Sequence, residues 1–135
     1  VLAELAWNRR LSITKNPDSL DPGVTRDATA MRVLFAPEFY QVTSGLDMTV
    51  PIGVGYVISG RSSASPVFGG GAEHGGDFSL GAKFDYRKKV SFGINYVKFF
   101  GKAGPYQSMD GAGPVQYKQS LKDRDFISLS MQATF

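Results

Sequence analysis

The sequence predicts an all-β protein: an antiparallel up-and-down transmembrane β-barrel, of which this chain supplies about six C-terminal strands. Three observations carry that expectation. The last residues alternate strictly, with Ile127, Leu129, Met131, Ala133 and Phe135 set between Ser128, Ser130, Gln132 and Thr134. Such a period of two marks a strand whose faces meet different surroundings, and a closing barrel strand ends on an interfacial aromatic. The same alternation recurs upstream, and the connections between the repeats are by turns long and short.

Taken in order, residues 1–10 set Val1, Ala3, Leu5 and Trp7 against Glu4, Asn8 and Arg10. Residues 30–40 oppose Met31, Val33, Phe35 and Phe39 to Arg32 and Glu38. Residues 46–58 place Leu46, Met48, Val50, Ile52, Val54, Tyr56 and Ile58 on one side, with Asp47, Thr49 and two glycines on the other. Residues 78–87 oppose Phe78, Leu80, Ala82, Phe84 and Tyr86 to Ser79, Lys83 and Asp85. Residues 90–100 oppose Val90, Phe92, Ile94 and Tyr96 to Ser91 and Asn95. Each run is about the 9–11 residues that a tilted strand needs to cross a bilayer. Pro37 and Pro51 each remove a ladder donor, so a bulge or strand end is expected beside them.

Residues 11–29, 59–77 and 101–123 are long polar connections rich in Gly, Ser, Asp and Pro, whereas 41–45 and 87–89 are short turns. Barrels alternate extracellular loops and periplasmic turns in this way. With the closing strand descending to the periplasm, Trp7, Tyr56, Phe78 and Tyr96 fall near the outer interface on the lipid side. Phe39, Tyr86 and Phe135 then fall near the inner one, giving two aromatic girdles.

Composition narrows the function classes. The 135 residues contain no cysteine, which removes disulfide frameworks and thiolate metal sites. A net charge of +3 is scattered, with Arg87-Lys88-Lys89 as its one basic run, so the concentrated stripe of a nucleic-acid partner is missing. No stretch approaches the ~20 apolar residues of a spanning helix. Residues 1–10 do not resemble a signal peptide, since Glu4 interrupts any apolar core. Six strands are too few to close a membrane barrel, for which about eight is the smallest usual number. Residues 1–135 are therefore expected to be the C-terminal portion of one barrel domain, or one of several copies sharing it.

The stretch 121–130 (Leu-Lys-Asp-Arg-Asp-Phe-Ile-Ser-Leu-Ser) leads to Thr134-Phe135. With residues 45–56 and the His74-Gly75-Gly76-Asp77-Phe78 opening of the fourth run, it resembles a Gram-negative outer-membrane family. That family is catalogued only as a domain of unknown function, number thirteen-oh-two. The Asp-Arg-Asp-Phe motif is the most specific element, and Ala133 departs from the aromatic often found two residues before such an end. The resemblance implies an outer-membrane barrel, assembly by the barrel-assembly machinery, and a periplasmic lipid-carrier-like protein as a partner. It also implies traffic of hydrophobic or lipid-like compounds.

Candidate lumen-lining residues are Glu4, Arg10, Arg32, Glu38, Asp47, Lys83 and Asp85, charged groups that cannot face lipid and could set selectivity along a water-filled path. Asp123, Arg124 and Asp125 at the mouth of the closing strand read as a cluster pinning the seam. Arg9 and Lys98 break the lipid-side pattern at the outer ends of their strands, where snorkelling or contact with lipopolysaccharide phosphates would suit them. His74, flanked by Glu73 and Asp77, is the lone histidine, and it reads as a solvated loop residue rather than a base or metal ligand. The resulting expectation is a channel or transporter in the outer membrane, without enzymatic activity, metal or cofactor. A soluble β-sandwich or lipocalin-like binding module and an outer-membrane lipid-modifying enzyme are the alternatives.

Overall fold

A computed structural model describes residues 1–105 and 113–134. It is all-β: β1 (Leu2–Arg9), β2 (Asp27–Phe35), β3 (Glu38–Thr43), β4 (Leu46–Thr49), β5 (Ile52–Ser59), β6 (Gly76–Tyr86), β7 (Val90–Phe100) and β8 (Phe126–Ala133). Two three-residue 3-10 turns, Pro17–Ser19 and Phe68–Gly70, are the sole helical pieces among the described residues. Every strand pairing is antiparallel, and all eight strands belong to one sheet.

The eight strands are the six alternating runs with two of them interrupted. β4 and β5 both pair with β6 in one continuous register, Thr49 opposite Lys83 and Ile52 opposite Leu80. β2 and β3 likewise follow one line against β5 and β4. The interruptions fall at Pro37 and Pro51, where the ladder loses a donor. The adjacent segment bridges each gap, with Val50 N–H donating to the Pro37 carbonyl at 3.0 Å and Gly81 N–H to the Pro51 carbonyl at 2.8 Å. Three strands also reach further than the alternation alone marks: β2 begins at Asp27, β3 runs to Thr43 and β6 begins at Gly76.

The sheet is a single layer. β1, β3 and β8 each have one neighbour among the described residues, so it is open and does not close into a barrel within this chain. Register sorts its faces. Ala3, Val33, Val54 and Phe78 form one apolar row, and Phe84, Phe92 and Met131 form another. No second layer covers that face among the described residues: Leu80 is 43% exposed, Ile94 41% and Leu129 68%. Phe100, outside the aromatics named in the sequence, stacks on Tyr56 with ring centroids 6.1 Å apart. Phe135 lies outside the described residues. The buried apolar residues are few and mostly small (Ala28, Ala30, Val57, Ala72 and Tyr117), and they sit where long connections meet the sheet.

The turn between β6 and β7 holds Arg87 at φ 48° and Lys88 at φ 55°, both left-handed, closed by Lys89 N–H to the Tyr86 carbonyl at 3.0 Å. Two successive left-handed residues favour Asn-Gly, because Cβ crowds the backbone there. Arg87 packs its guanidinium over the Tyr86 ring, 5.2 Å from its centroid, whereas Lys88 is exposed. Lys88→Gly is therefore expected to stabilise the sheet by about 1 kcal/mol, the lower end of the left-handed penalty, read from urea unfolding followed by Trp7 fluorescence in detergent.

Candidate functional site

Opposite the apolar face, the register lines up a charged row. Glu4 pairs with Arg32, Arg32 with Gly55, and Gly55 with Asp77. Arg32 Nη2 donates to Asp77 Oδ1 at 2.7 Å, reaching over the intervening strand. Only a missing side chain permits this. A Cβ on Gly55 would lie 2.7 Å from Arg32 Nη2 and 2.8 Å from Asp77 Oδ1. Asp77 is absent from the sequence-derived set because the alternation placed the start of its strand at Phe78; its odd number, shared with Ser79 and Lys83, was the available signal.

A second charged group lies nearer the short turns. Lys83 Nζ meets Asp85 Oδ2 at 3.2 Å. Asp47, directly across from Asp85, accepts the Gln41 N–H at 2.8 Å, and the Tyr40 hydroxyl donates to Glu38 Oε2. Of the seven charged residues read as facing inward, the structure thus brings Glu4 and Arg32 together at one end and Glu38, Asp47, Lys83 and Asp85 at the other. Arg10 belongs to neither. It stands just past β1, where its N–H donates to the Arg26 carbonyl at 2.8 Å.

The face is not uniformly polar. Next to the charged row, Leu2, Leu34, Val97 and Phe126 follow one another across the sheet, separated by Gly53 and Ser79. Above that row, the connection from β5 to β6 folds back onto the sheet. Its 3-10 turn seats Gly69 so closely that a Cβ there would stand 2.5 Å from Ala30 Cβ and 2.9 Å from Val57 Cγ2. Between this loop and the charged row is an open cleft of about 220 Å³, lined in part by Glu4, Ala6, Ala30, Arg32, Gly55 and Phe68.

The three long connections are bound into one cap. Asp21 accepts Val115 N–H at 3.1 Å, tying the first to the third. The Thr25 hydroxyl oxygen accepts Arg61 N–H at 2.8 Å, and Ser62 Oγ donates to Asn8 Oδ1 at 3.1 Å, tying the first and β1 to the second. Glu73 N–H donates to the Tyr117 carbonyl at 3.1 Å, and Arg61 sits over the Tyr117 ring while its Nε meets Glu73 Oε2 at 3.3 Å. Gln119, buried, donates to the Gly76 carbonyl at 3.1 Å. Apart from Glu73, noted beside His74, these residues do not stand out in the sequence, because the ties between connections join positions far apart along the chain.

At the seam, Asp125 Oδ1 accepts Phe99 N–H at 2.9 Å and Oδ2 the Tyr96 hydroxyl at 3.3 Å, which extends the β7–β8 ladder beyond its last pair. Asp123 and Arg124 are exposed and 4.0 Å apart, too loosely paired to contribute much. Arg9 lies 3.6 Å from its cross-strand neighbour Asp27, and Lys98 stands exposed beside Phe78. His74 occupies an exposed turn at φ 54°. The carboxylates on either side of it are held elsewhere, Glu73 by Arg61 and Asp77 by Arg32. No group of three candidate metal ligands occurs among the described residues.

Two outcomes follow from these contacts. Asp125→Ala strands the Phe99 N–H and is expected to cost about 1–2 kcal/mol, with faster amide exchange at Phe99 as its local readout. Glu73→Ala removes one latch of the cap, and trypsin cleavage after Arg61 is expected to rise about fivefold, equivalent to roughly 1 kcal/mol of local opening.

No curated protein and no solved structure matches this chain. A family model does match, along the whole of residues 1–135, and the chain belongs to the family described as Protein of unknown function (DUF1302).

Proposed function

We propose that this chain is part of an outer-membrane β-barrel of a Gram-negative cell, acting as a channel or transporter for hydrophobic or lipid-like compounds. The observation that carries the reading is the single-layered sheet whose apolar face has no cover while its other face carries charge. In water such a face would drive association, since patches beyond a few hundred Å² mark a partner or a membrane. Hydrocarbon satisfies it, provided every backbone group finds a partner in a neighbouring strand. The open edges at β1, β3 and β8 then call for further strands, from the same polypeptide or from other copies. Barrel-assembly machinery, outer-membrane lipids with lipopolysaccharide and a periplasmic lipid-carrier-like protein are the partners this reading brings.

The apolar row Leu2, Leu34, Val97 and Phe126 on the charged face supports a path for molecules with a greasy body. A purely aqueous pore has no use for such a stripe. Charged residues flanking it would discriminate among head groups, as rings of charge do in other pores. A sandwich or lipocalin-like module would need a second layer over Leu80, Ile94 and Leu129. A lipid-modifying enzyme would need a base beside a nucleophile at the bilayer edge.

One pair of substitutions separates lipid from protein as the neighbour of the apolar face. Leu129→Arg is expected to lower folding stability in phosphatidylcholine vesicles by about 2–4 kcal/mol, while Ser128→Arg on the other face costs little. Urea titration of both variants measures this, and equal costs would overturn the membrane reading. Heat-modifiable migration on gels and discrete conductance steps in planar bilayers are the expected signs of a barrel and of a channel, respectively.

A further inference from the structure

Ion-pair arithmetic in the cleft leaves one charge over. Arg32 has two carboxylates along its row, Glu4 directly opposite and Asp77 two strands away. It turns across Gly55 to Asp77, 2.7 Å away, and so faces away from β1. Glu4, exposed, then makes no hydrogen bond or ion pair among the described residues, and it borders the cleft of about 220 Å³ with Phe68, Ala6 and Ala30. The wall opposite is fixed, because Gly69 is flush against Ala30 and Val57 and the loop is tied through Ser62 to Asn8.

We propose that this cleft binds the cationic head of an amphipathic ligand, a primary or quaternary ammonium group on an apolar body, with Glu4 as its counter-ion. The inference rests on the reading that this face lines a transport path, and it names the substrate class of that path. At about 220 Å³ the cleft is smaller than a drug-sized site, which suits it to a compact head group. Aromatic and small apolar walls beside a carboxylate are the chemistry that holds ammonium ions, through charge and through contact with an aromatic side chain, here Phe68. An anionic head group fits less well, since Asp77 already neutralises Arg32 and Glu4 makes the row net negative. The neighbouring apolar row of Leu2 and Leu34 gives the body of the ligand a continuous surface.

Calorimetric titration of the protein, folded in a neutral detergent, tests this with benzyltrimethylammonium, benzyl alcohol and phenylmethanesulfonate. Glu4→Gln is expected to weaken benzyltrimethylammonium binding about tenfold and to leave benzyl alcohol within about twofold, while Glu4→Asp retains the preference for the cation. Arg32→Gln, which frees Asp77, should strengthen binding of the cation. Unchanged binding in Glu4→Gln, or a preference for phenylmethanesulfonate that Arg32→Gln abolishes, overturns the proposal. Bilayer recordings keep the two readings apart. Conductance indifferent to benzyltrimethylammonium would sink the cation site and leave the channel, whereas ammonium binding without any conductance would sink the channel and leave the site.

Discussion

A β-sheet one layer thick must satisfy two demands at once: each backbone N–H and C=O needs a partner in an adjacent strand, and each face needs surroundings that suit its side chains. Here the first demand is met along the antiparallel ladders, even across the two proline gaps, where the Pro37 and Pro51 carbonyls still accept from the adjacent segment, and it stays open at the outer edges of β1, β3 and β8. The second is met by strict alternation, which sends one set of side chains to each side. A slip of one residue in any pairing would exchange the faces, so register and face chemistry reinforce each other. Everything else in the molecule is arranged around that division.

The charged face uses small residues as its main device. Gly55 lets an arginine cross a strand to reach its aspartate, and Gly69 lets a loop lie flat on Ala30 and Val57. Side chains at these positions would prop the loop away from the sheet and break the row beneath it. Glycine in a strand interior usually weakens the strand and often marks a close approach. At Gly55, inside β5, the close approach is observed, and with Gly69 in its loop it borders the cleft near Glu4.

At the loop end, polar bonds tie the connections together above the small set of buried apolar residues. Asp21, Thr25, Arg61 and Glu73 each bridge separate connections and Gln119 ties the third to the sheet, so three long segments behave as one cap. Long connections without secondary structure of their own are uncommon in proteins unless they serve a function. Under the proposed reading they narrow the entrance to the charged face, and the inward-folded loop Gly60 to Gly75 forms one wall of the passage.

The alternation of apolar and polar residues determined the strands, their two faces and the alternation of long with short connections, because side-chain period is a local property of extended chain. It also located both breaks, since a proline removes its donor wherever it stands. What the tertiary structure alone decided was partnership. Arg32 could have bonded Glu4 or Asp77, and Gly55 on a third strand settled the choice. Asp21 and Val115 meet across 94 positions, a distance at which no local pattern carries information. Arg87 and Lys88 adopt a left-handed turn without the glycine or asparagine that announces one, because the pairing of β6 with β7 forces it. Faces follow from the chemistry of neighbours in sequence, whereas sites follow from neighbours in space, and only folding supplies those.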